Sequence, residues 1–161
     1  MIHLKRVVAS LALVFVLCLP SYAETILTVT VKLADGTEMS TEFTREDLQA
    51  VGITSVYTGN DYVDGLVEFE GPLMRDLMMA VGGQKAKIAR LSAVNDYTVE
   101  VDVEEFFNYN VIIALRQNGE ALSLRDKGPI WLIYPMSDHV ELQEPAFNSR
   151  LIWQLDRVVF E

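Results

Sequence analysis

The feature that most restricts this chain is a short apolar segment near its start. Residues 5–6 are Lys and Arg, an apolar run broken only by Ser10 follows over 7–19, and Ser21-Tyr22-Ala23 comes soon after. A positive start, a short apolar run and small residues at a cleavage point are the three parts of a secretory signal peptide. The run is short for a bilayer span, although an uncleaved membrane anchor is the alternative. The sequence therefore predicts a signal peptide over 1–23 and a mature chain over 24–161.

The chain after this segment is strongly acidic and poor in metal-binding side chains. Residues 1–23 contain two of the 13 Lys and Arg and none of the 23 Asp and Glu, so 11 basic and 23 acidic side chains remain, a formal net charge of −12. The only cysteine, Cys18, also lies there, and His139 is the one histidine that remains. Disulfides, thiolate chemistry and Cys- or His-rich metal sites are thus excluded from the mature chain. The acidity argues against nucleic acid and anionic lipid, which need Lys and Arg.

The hydrophobic pattern of the mature chain predicts one domain of the α+β class. Alternation at Leu27, Val29 and Val31 is typical of a half-buried strand, and Leu73, Leu77 and neighbouring methionines follow Pro72 at helical spacing. Short strands outnumber short helices and do not alternate regularly with them, which favours mixed sheets over a doubly wound fold. We predict strands at 26–33, 39–43, 53–58, 63–69, 86–93, 97–101, 109–116, 130–134 and 151–160, and helices that begin near Thr44, Pro72 and Asp102.

No catalytic constellation stands out, but one set of side chains suits ligand binding. His139 lies in a polar stretch typical of a solvated loop, and Trp131 lies in the middle of an apolar strand and is predicted to be core. Other aromatic, amide and charged residues fall at predicted strand ends or beside turns, where side chains converge on clefts. Stacking faces, a planar guanidinium and paired donors and acceptors suit a flat heterocycle, although a structural role for each residue is the alternative. The set is Tyr57, Asn95, Asp96, Tyr97, Tyr134, Arg150 and Trp153.

Five short segments, in order, resemble the sulfite-oxidase-like (oxidoreductase molybdopterin-binding) domain family. The resemblance covers roughly residues 55–160 and implies a mixed α+β fold with a pterin-facing cleft. The segments are Phe69-Glu70-Gly71-Pro72-Leu73-Met74-Arg75-Asp76-Leu77, Ala93-Val94-Asn95-Asp96-Tyr97-Thr98-Val99, Ala114-Leu115-Arg116-Gln117-Asn118-Gly119, Lys127-Gly128-Pro129-Ile130-Trp131-Leu132-Ile133-Tyr134-Pro135 and Arg150-Leu151-Ile152-Trp153-Gln154-Leu155.

The chain departs from the enzymes of that family at two points. Those enzymes bind molybdenum through a cysteine thiolate upstream of the Gly-Pro-Leu helix, whereas residues 53–58 here contain no cysteine. A hydroxyl is a poor substitute for a thiolate on this metal. The family's arginine after the second Gly-Pro pair is also missing, since Ile130 and Trp131 stand there. The departures favour a binding protein without molybdenum over an enzyme.

What remains resembles the small cysteine-less periplasmic pterin-binding proteins of the PruR type. That resemblance implies a non-catalytic, periplasmic ligand sensor that binds a reduced pterin and regulates the periplasmic domain of an inner-membrane cyclic di-GMP signalling protein. Two alternatives stay open. One is a molybdopterin-dependent oxidoreductase that holds its cofactor without cysteine, and the other is a ligand-free interaction module of the same fold.

A pterin site can be assigned on the chemistry of its edges. The donor-rich edge of a pterin suits a carboxylate, and its carbonyl and ring nitrogens suit Arg or N–H donors. We predict Asp96 as the carboxylate and Arg150 as the donor, with Asn95 as an orienting amide. The predicted stacking walls are Trp153, Tyr97 and Tyr57. The alternative for Asp96 is that it caps the turn before Tyr97.

Overall fold

A computed structural model describes residues 24–161; the predicted signal peptide, 1–23, lies outside the described residues. Within 24–161, no helix is long and apolar enough to cross a membrane. The elements are β1 (Leu27–Lys32), β2 (Glu38–Phe43), α1 (Arg45–Val51), β3 (Thr54–Thr58), β4 (Val67–Gly71), α2 (Met74–Ala80), β5 (Ile88–Ala93), β6 (Thr98–Asp102), α3 (Glu105–Asn108), β7 (Ile112–Ala114), β8 (Arg116–Gln117), β9 (Glu120–Ala121), β10 (Trp131–Ile133), α4 (Pro145–Asn148) and β11 (Leu155–Phe160).

The larger of the three sheets has five strands in the order β2-β1-β11-β5-β6. The central strand, β11, runs parallel to its neighbour β1, and the remaining pairs are antiparallel. Leu27, Val29 and Val31 are buried on one face of β1, as their alternation predicts, while the opposite face carries Thr28 and Thr30. A mixed sheet with few short helices confirms the predicted α+β fold.

Two helices cover the apolar face of this sheet. Helix α1 begins with a capping box, in which the Thr44 hydroxyl accepts the Asp47 backbone N–H and the Asp47 carboxylate accepts the Thr44 N–H. Its Leu48 is buried in the same cluster as Leu77 and Met78 of α2. The methionines of α2 that face the sheet therefore fill the core, as helical spacing predicts.

Two smaller sheets pack around a second apolar cluster. Their strand orders are β3-β4-β8-β9 and β10-β7. Phe69 and Trp131 are fully buried there, with ring centroids 5.3 Å apart in an edge-to-face arrangement. Gly71 allows β4 to lie against β7, because a Cβ atom at that position would lie 1.9 Å from the Ile113 carbonyl oxygen.

The structure corrects several of the predicted element bounds, among them the helix predicted near Asp102, which begins at Glu105. Strand β4 begins at Val67 rather than Val63, and α2 begins at Met74 rather than Pro72. The strand predicted at 109–116 is divided, because β7 pairs with β10 while β8 pairs with β4. The strand predicted at 151–160 begins at 155, because Gln154 adopts a left-handed φ of 53° that interrupts the extended chain.

Candidate ligand-binding cleft

The β5–β6 hairpin and the segment before β11 form one wall of a small pocket. The Asn95 side-chain oxygen accepts the Tyr97 backbone N–H at 3.1 Å, which shapes the hairpin turn. The Tyr97 hydroxyl donates to the Ser149 carbonyl at 3.1 Å and so ties the hairpin to the end of α4. This pocket, the aromatic pocket, has a volume of about 210 Å³. Its lining residues are Tyr62, Ala93, Asn95, Tyr97, Asn148, Ser149, Leu151, Ile152 and Trp153.

Two aromatic side chains meet at the mouth of the aromatic pocket. The rings of Tyr62 and Trp153 lie edge to face with centroids 5.0 Å apart. Both are exposed, at 37% and 38% of their full surface, so they keep ring area free for a ligand. Trp153 forms a β-bridge with Trp131, which fixes its backbone to the buried strand β10. The Trp153 backbone is therefore held in place while the rings of Trp153 and Tyr62 keep exposed faces.

A second pocket lies next to the first and is lined mostly by polar groups. The Ser137 Oγ accepts the Gly59 N–H at 2.9 Å, and the Ser137 N–H donates to the buried Thr58 hydroxyl at 3.0 Å. These bonds join the end of β3 to the segment after β10. The pocket, called the polar pocket, has a volume of about 390 Å³, within the range of small-molecule sites. Its lining residues are Gly59, Asn60, Asp61, Met136, Ser137, Gln143 and Asn148.

Asn148 belongs to both pockets, which together form the cleft. Its side-chain amide donates to the Asp61 carboxylate, a contact between α4 and the loop after β3. The same loop closes on itself at Gly59, where a Cβ atom would lie 2.8 Å from the Gly65 carbonyl oxygen. Glycine is therefore needed at position 59, because a side chain there would collide with the backbone at Gly65.

Asn60 carries the one buried side-chain polar atom within 24–161 that has no hydrogen-bond partner. Its Oδ1 accepts the Tyr62 backbone N–H at 2.9 Å, which sets the orientation of the amide. Its Nδ2 is buried and has no acceptor among the described residues. A buried donor without an acceptor costs about 1–3 kcal/mol. Asn60 lines the polar pocket, so a turn of its amide toward the pocket would let a ligand acceptor remove that cost.

The structure brings three of the six predicted site residues together. Asn95, Tyr97 and Trp153 all line the aromatic pocket. Tyr57 does not line either pocket; its hydroxyl donates to Glu68 at 2.8 Å on the neighbouring strand, and this bond raises the pKa of Tyr57. The sequence singled out Tyr57 as a strand-end aromatic, but on β3 its side chain takes part in a cross-strand pair.

Asp96 and Arg150 lie beside the cleft and are held by other residues. The Asp96 carboxylate is 2.7 Å from Arg157 Nη2, and its side chain is 86% exposed. The side chain that shapes the turn before Tyr97 is Asn95 rather than Asp96, which corrects the alternative predicted for Asp96. Arg150 forms an ion pair with Glu105 and lies over the Phe147 ring, 4.4 Å from its centroid.

Tyr134 is buried next to this ion pair and donates to Glu105 at 3.1 Å. Burial, reinforced by the negative charge of Glu105, raises the pKa of the Tyr134 hydroxyl well above its ordinary value. Unfolded tyrosine ionises near pH 10, while folded Tyr134 keeps its proton, so the free energy of unfolding falls as the pH rises above about 10. We expect Tyr134→Phe to flatten this alkaline decline in denaturant titrations between about pH 8 and 11. An unchanged slope would show that Tyr134 does not contribute to it.

Sequence reasoning missed most of the polar cleft residues and one aromatic one: Asn60, Asp61, Tyr62, Ser137, Gln143, Asn148 and Ser149. The strands predicted at 53–58 and 63–69 leave Asn60, Asp61 and Tyr62 in the connection between them, to which the sequence assigns no binding role. The available signal was the combination of glycine, amide and aromatic residues directly after a strand, because such loops at strand ends carry binding residues. Asn148 had no local signal, since its partner Asp61 lies 87 residues away in the chain.

The family model for the oxidoreductase molybdopterin binding domain matches residues 27–137, more than half of the chain. The chain belongs to this family. The matched range of this molybdopterin-binding domain contains the loop after β3 and the β5–β6 hairpin, which form much of the cleft. No curated protein matches the chain.

The donor set of this molybdopterin-binding domain does not fit thiolate-bound molybdenum. Residues 24–161 contain no cysteine, and within them no group of three His, Cys, Asp or Glu side chains is placed to hold a metal ion. Thr58, at the end of the stretch that the resemblance aligns with the thiolate, is buried, and its hydroxyl accepts the Ser137 N–H. The resemblance implies an arginine where Ile130 and Trp131 stand. Trp131 is buried and donates its indole N–H to the Leu151 carbonyl at 3.1 Å.

Proposed function

We propose that this molybdopterin-binding domain is a non-catalytic pterin-binding protein that acts as a ligand sensor in the periplasm. Its partner in this proposal is the periplasmic domain of an inner-membrane cyclic di-GMP signalling protein. The observation that carries the binding function is a cleft in which the aromatic pocket presents Tyr62 and Trp153 and the polar pocket is lined by Asn60, whose Nδ2 is buried without a partner.

The cleft supports a flat ligand that has both donors and acceptors. The exposed rings of Tyr62, Tyr97 and Trp153 offer apolar faces for stacking. A pterin carbonyl or ring nitrogen can accept from Asn60 Nδ2 when the amide turns toward the pocket, and the Asp61 carboxylate can accept from the ring N–H and amino group. In this proposal Asp61 takes the role that the sequence assigned to Asp96, because Asp61 lines the polar pocket.

The absence of a thiolate supports binding without molybdenum chemistry. The family's enzymes hold the metal through a cysteine thiolate, for which a hydroxyl is a poor substitute, and residues 24–161 contain only oxygen and nitrogen donors and the thioether sulfur of methionine. The predicted export signal and the net acidity of 24–161 support a soluble role outside the cytoplasm. The sensor role and its signalling partner rest on the resemblance to small cysteine-less pterin-binding proteins.

Titration of the purified protein with a reduced pterin tests the binding function. We expect one pterin per chain, quenching of Trp153 fluorescence and a rise in melting temperature, because a ligand that binds only the folded state stabilises it. A lack of response to any pterin, oxidised or reduced, would contradict the proposal and favour a ligand-free interaction module.

Metal analysis tests the non-catalytic part separately. Protein purified from its own host is expected to contain far less than one molybdenum atom per chain. Stoichiometric molybdenum would overturn the non-catalytic assignment and favour an oxidoreductase that holds its cofactor without cysteine.

A further inference from the structure

The side chains that line the cleft carry no positive charge. Among the described residues that line the two pockets there is no Lys, Arg or His, and the one charged side chain is the Asp61 carboxylate. The other polar lining groups are amides and hydroxyls, such as Asn60, Gln143 and Ser149. The electrostatic character of the cleft is therefore neutral to negative.

Two guanidinium groups close in sequence to the lining residues are already engaged. Arg150, which lies between Ser149 and Leu151 of the aromatic pocket, is paired with Glu105, and both side chains are partly buried. Arg157 is paired with Asp96. To bind an anion in the cleft, either arginine would have to break its ion pair. If Arg150 did so, the partly buried Glu105 carboxylate would be left unpaired.

The groups that line the cleft are unfavourable for binding a phosphate ester. Phosphate sites in proteins rely on Arg or Lys, or on convergent backbone N–H groups. The Gly59 N–H at the floor of the loop is already donated to Ser137 Oγ. A dianion would lose its hydration and approach the Asp61 carboxylate without a cation to offset either effect.

We propose that the cleft selects phosphate-free pterins and rejects phosphorylated ones, including the phosphorylated pterin of a molybdenum cofactor. This inference rests on the proposed pterin-binding function. The ligand class is a neutral, planar pterin that carries no phosphate, and Asp61 is the residue that sets the discrimination. A site of this kind reports free pterins and ignores the phosphorylated pool.

Paired titrations with neopterin and neopterin monophosphate, both in the reduced form, test the selectivity. We expect the phosphate ester to bind at least about tenfold more weakly at low salt, with the difference narrowing as salt screens the Asp61 charge. Asp61→Asn keeps an oxygen that can accept from Asn148 and removes the charge. We expect it to reduce the affinity ratio between free and phosphorylated pterin by about threefold or more. Glu46→Gln removes the same charge on α1, outside the cleft lining, and is expected to leave the ratio unchanged.

Introduction of a positively charged side chain into the cleft provides the reciprocal test. Gln143 lines the polar pocket, and its side-chain amide donates to the Met136 carbonyl at 3.1 Å, a bond that a lysine ammonium can also donate. We expect Gln143→Lys to improve binding of the phosphate ester about tenfold relative to the free pterin. Equal affinities of the two ligands for the wild-type protein would overturn the selectivity and leave pterin binding intact. Failure of both ligands to bind would instead overturn the proposed function.

Discussion

Replacement of Trp131 with alanine is expected to lower the free energy of unfolding by about 3–5 kcal/mol. The Trp131 side chain is fully buried, packs edge to face on Phe69 and donates its indole N–H to the Leu151 carbonyl at 3.1 Å. The substitution leaves a cavity in the smaller apolar cluster and an unpaired carbonyl beside the cleft. Denaturant unfolding followed by circular dichroism measures the change.

Trp153→Ala is the matched control for that experiment. Trp153 is 38% exposed and contacts Tyr62 at the mouth of the cleft, so its loss is expected to cost less than about 1.5 kcal/mol. The two tryptophans thereby separate stability from binding, since Trp153→Ala is expected to weaken pterin binding. Equal destabilisation by both variants would contradict the assignment of Trp131 to the core and Trp153 to the cleft.

Asn60→Ser is expected to weaken binding of a reduced pterin by about tenfold to a hundredfold, because a ligand acceptor loses its buried partner. A serine hydroxyl can still accept the Tyr62 N–H and so preserve the turn. The variant also removes the buried Nδ2 that has no partner among the described residues, so we expect unchanged or slightly raised stability. Fluorescence titration and thermal unfolding together measure both effects.

The control is Asn110→Ser, at an exposed asparagine that does not line either pocket and whose Oδ1 accepts from Arg75 at 2.9 Å. It makes the same chemical change away from the cleft, and wild-type pterin affinity is expected. If Asn60→Ser binds pterin as tightly as the wild-type protein does, Asn60 is not a ligand donor and the polar pocket is not the pterin site.

Local patterns predicted most of the fold because they act within one element. Alternation predicted β1, the helix start predicted near Thr44 coincides with the capping box of α1, and the burial of Trp131 follows from its apolar strand. Errors arose where tertiary pairing decides the outcome. The single strand predicted at 109–116 is divided because two different sheets pair with its two ends.

The candidate site was predictable only in part, for the same physical reason. Asn95, Tyr97 and Trp153 flank turns and do converge in the aromatic pocket. The partners that occupy Asp96 and Arg150 lie 61 and 45 residues away in sequence, so no local pattern shows that these charges are engaged. Asn60 was missed because its position in a turn explains only its side-chain oxygen, which accepts the Tyr62 N–H. Nothing in the local sequence shows that its Nδ2 is buried without a partner.

The central claim is that a pterin binds in the cleft between Asn60 and Trp153, and ¹H–¹⁵N spectra of the protein test it most directly. The protein has two indole N–H groups, one on Trp153 in the cleft and one on Trp131 in the core. With one equivalent of reduced pterin, we predict large shifts of the Trp153 indole and the Asn60 side-chain amide, and little change at the Trp131 indole. Saturating pterin that leaves the Asn60 and Trp153 signals in place would contradict the account.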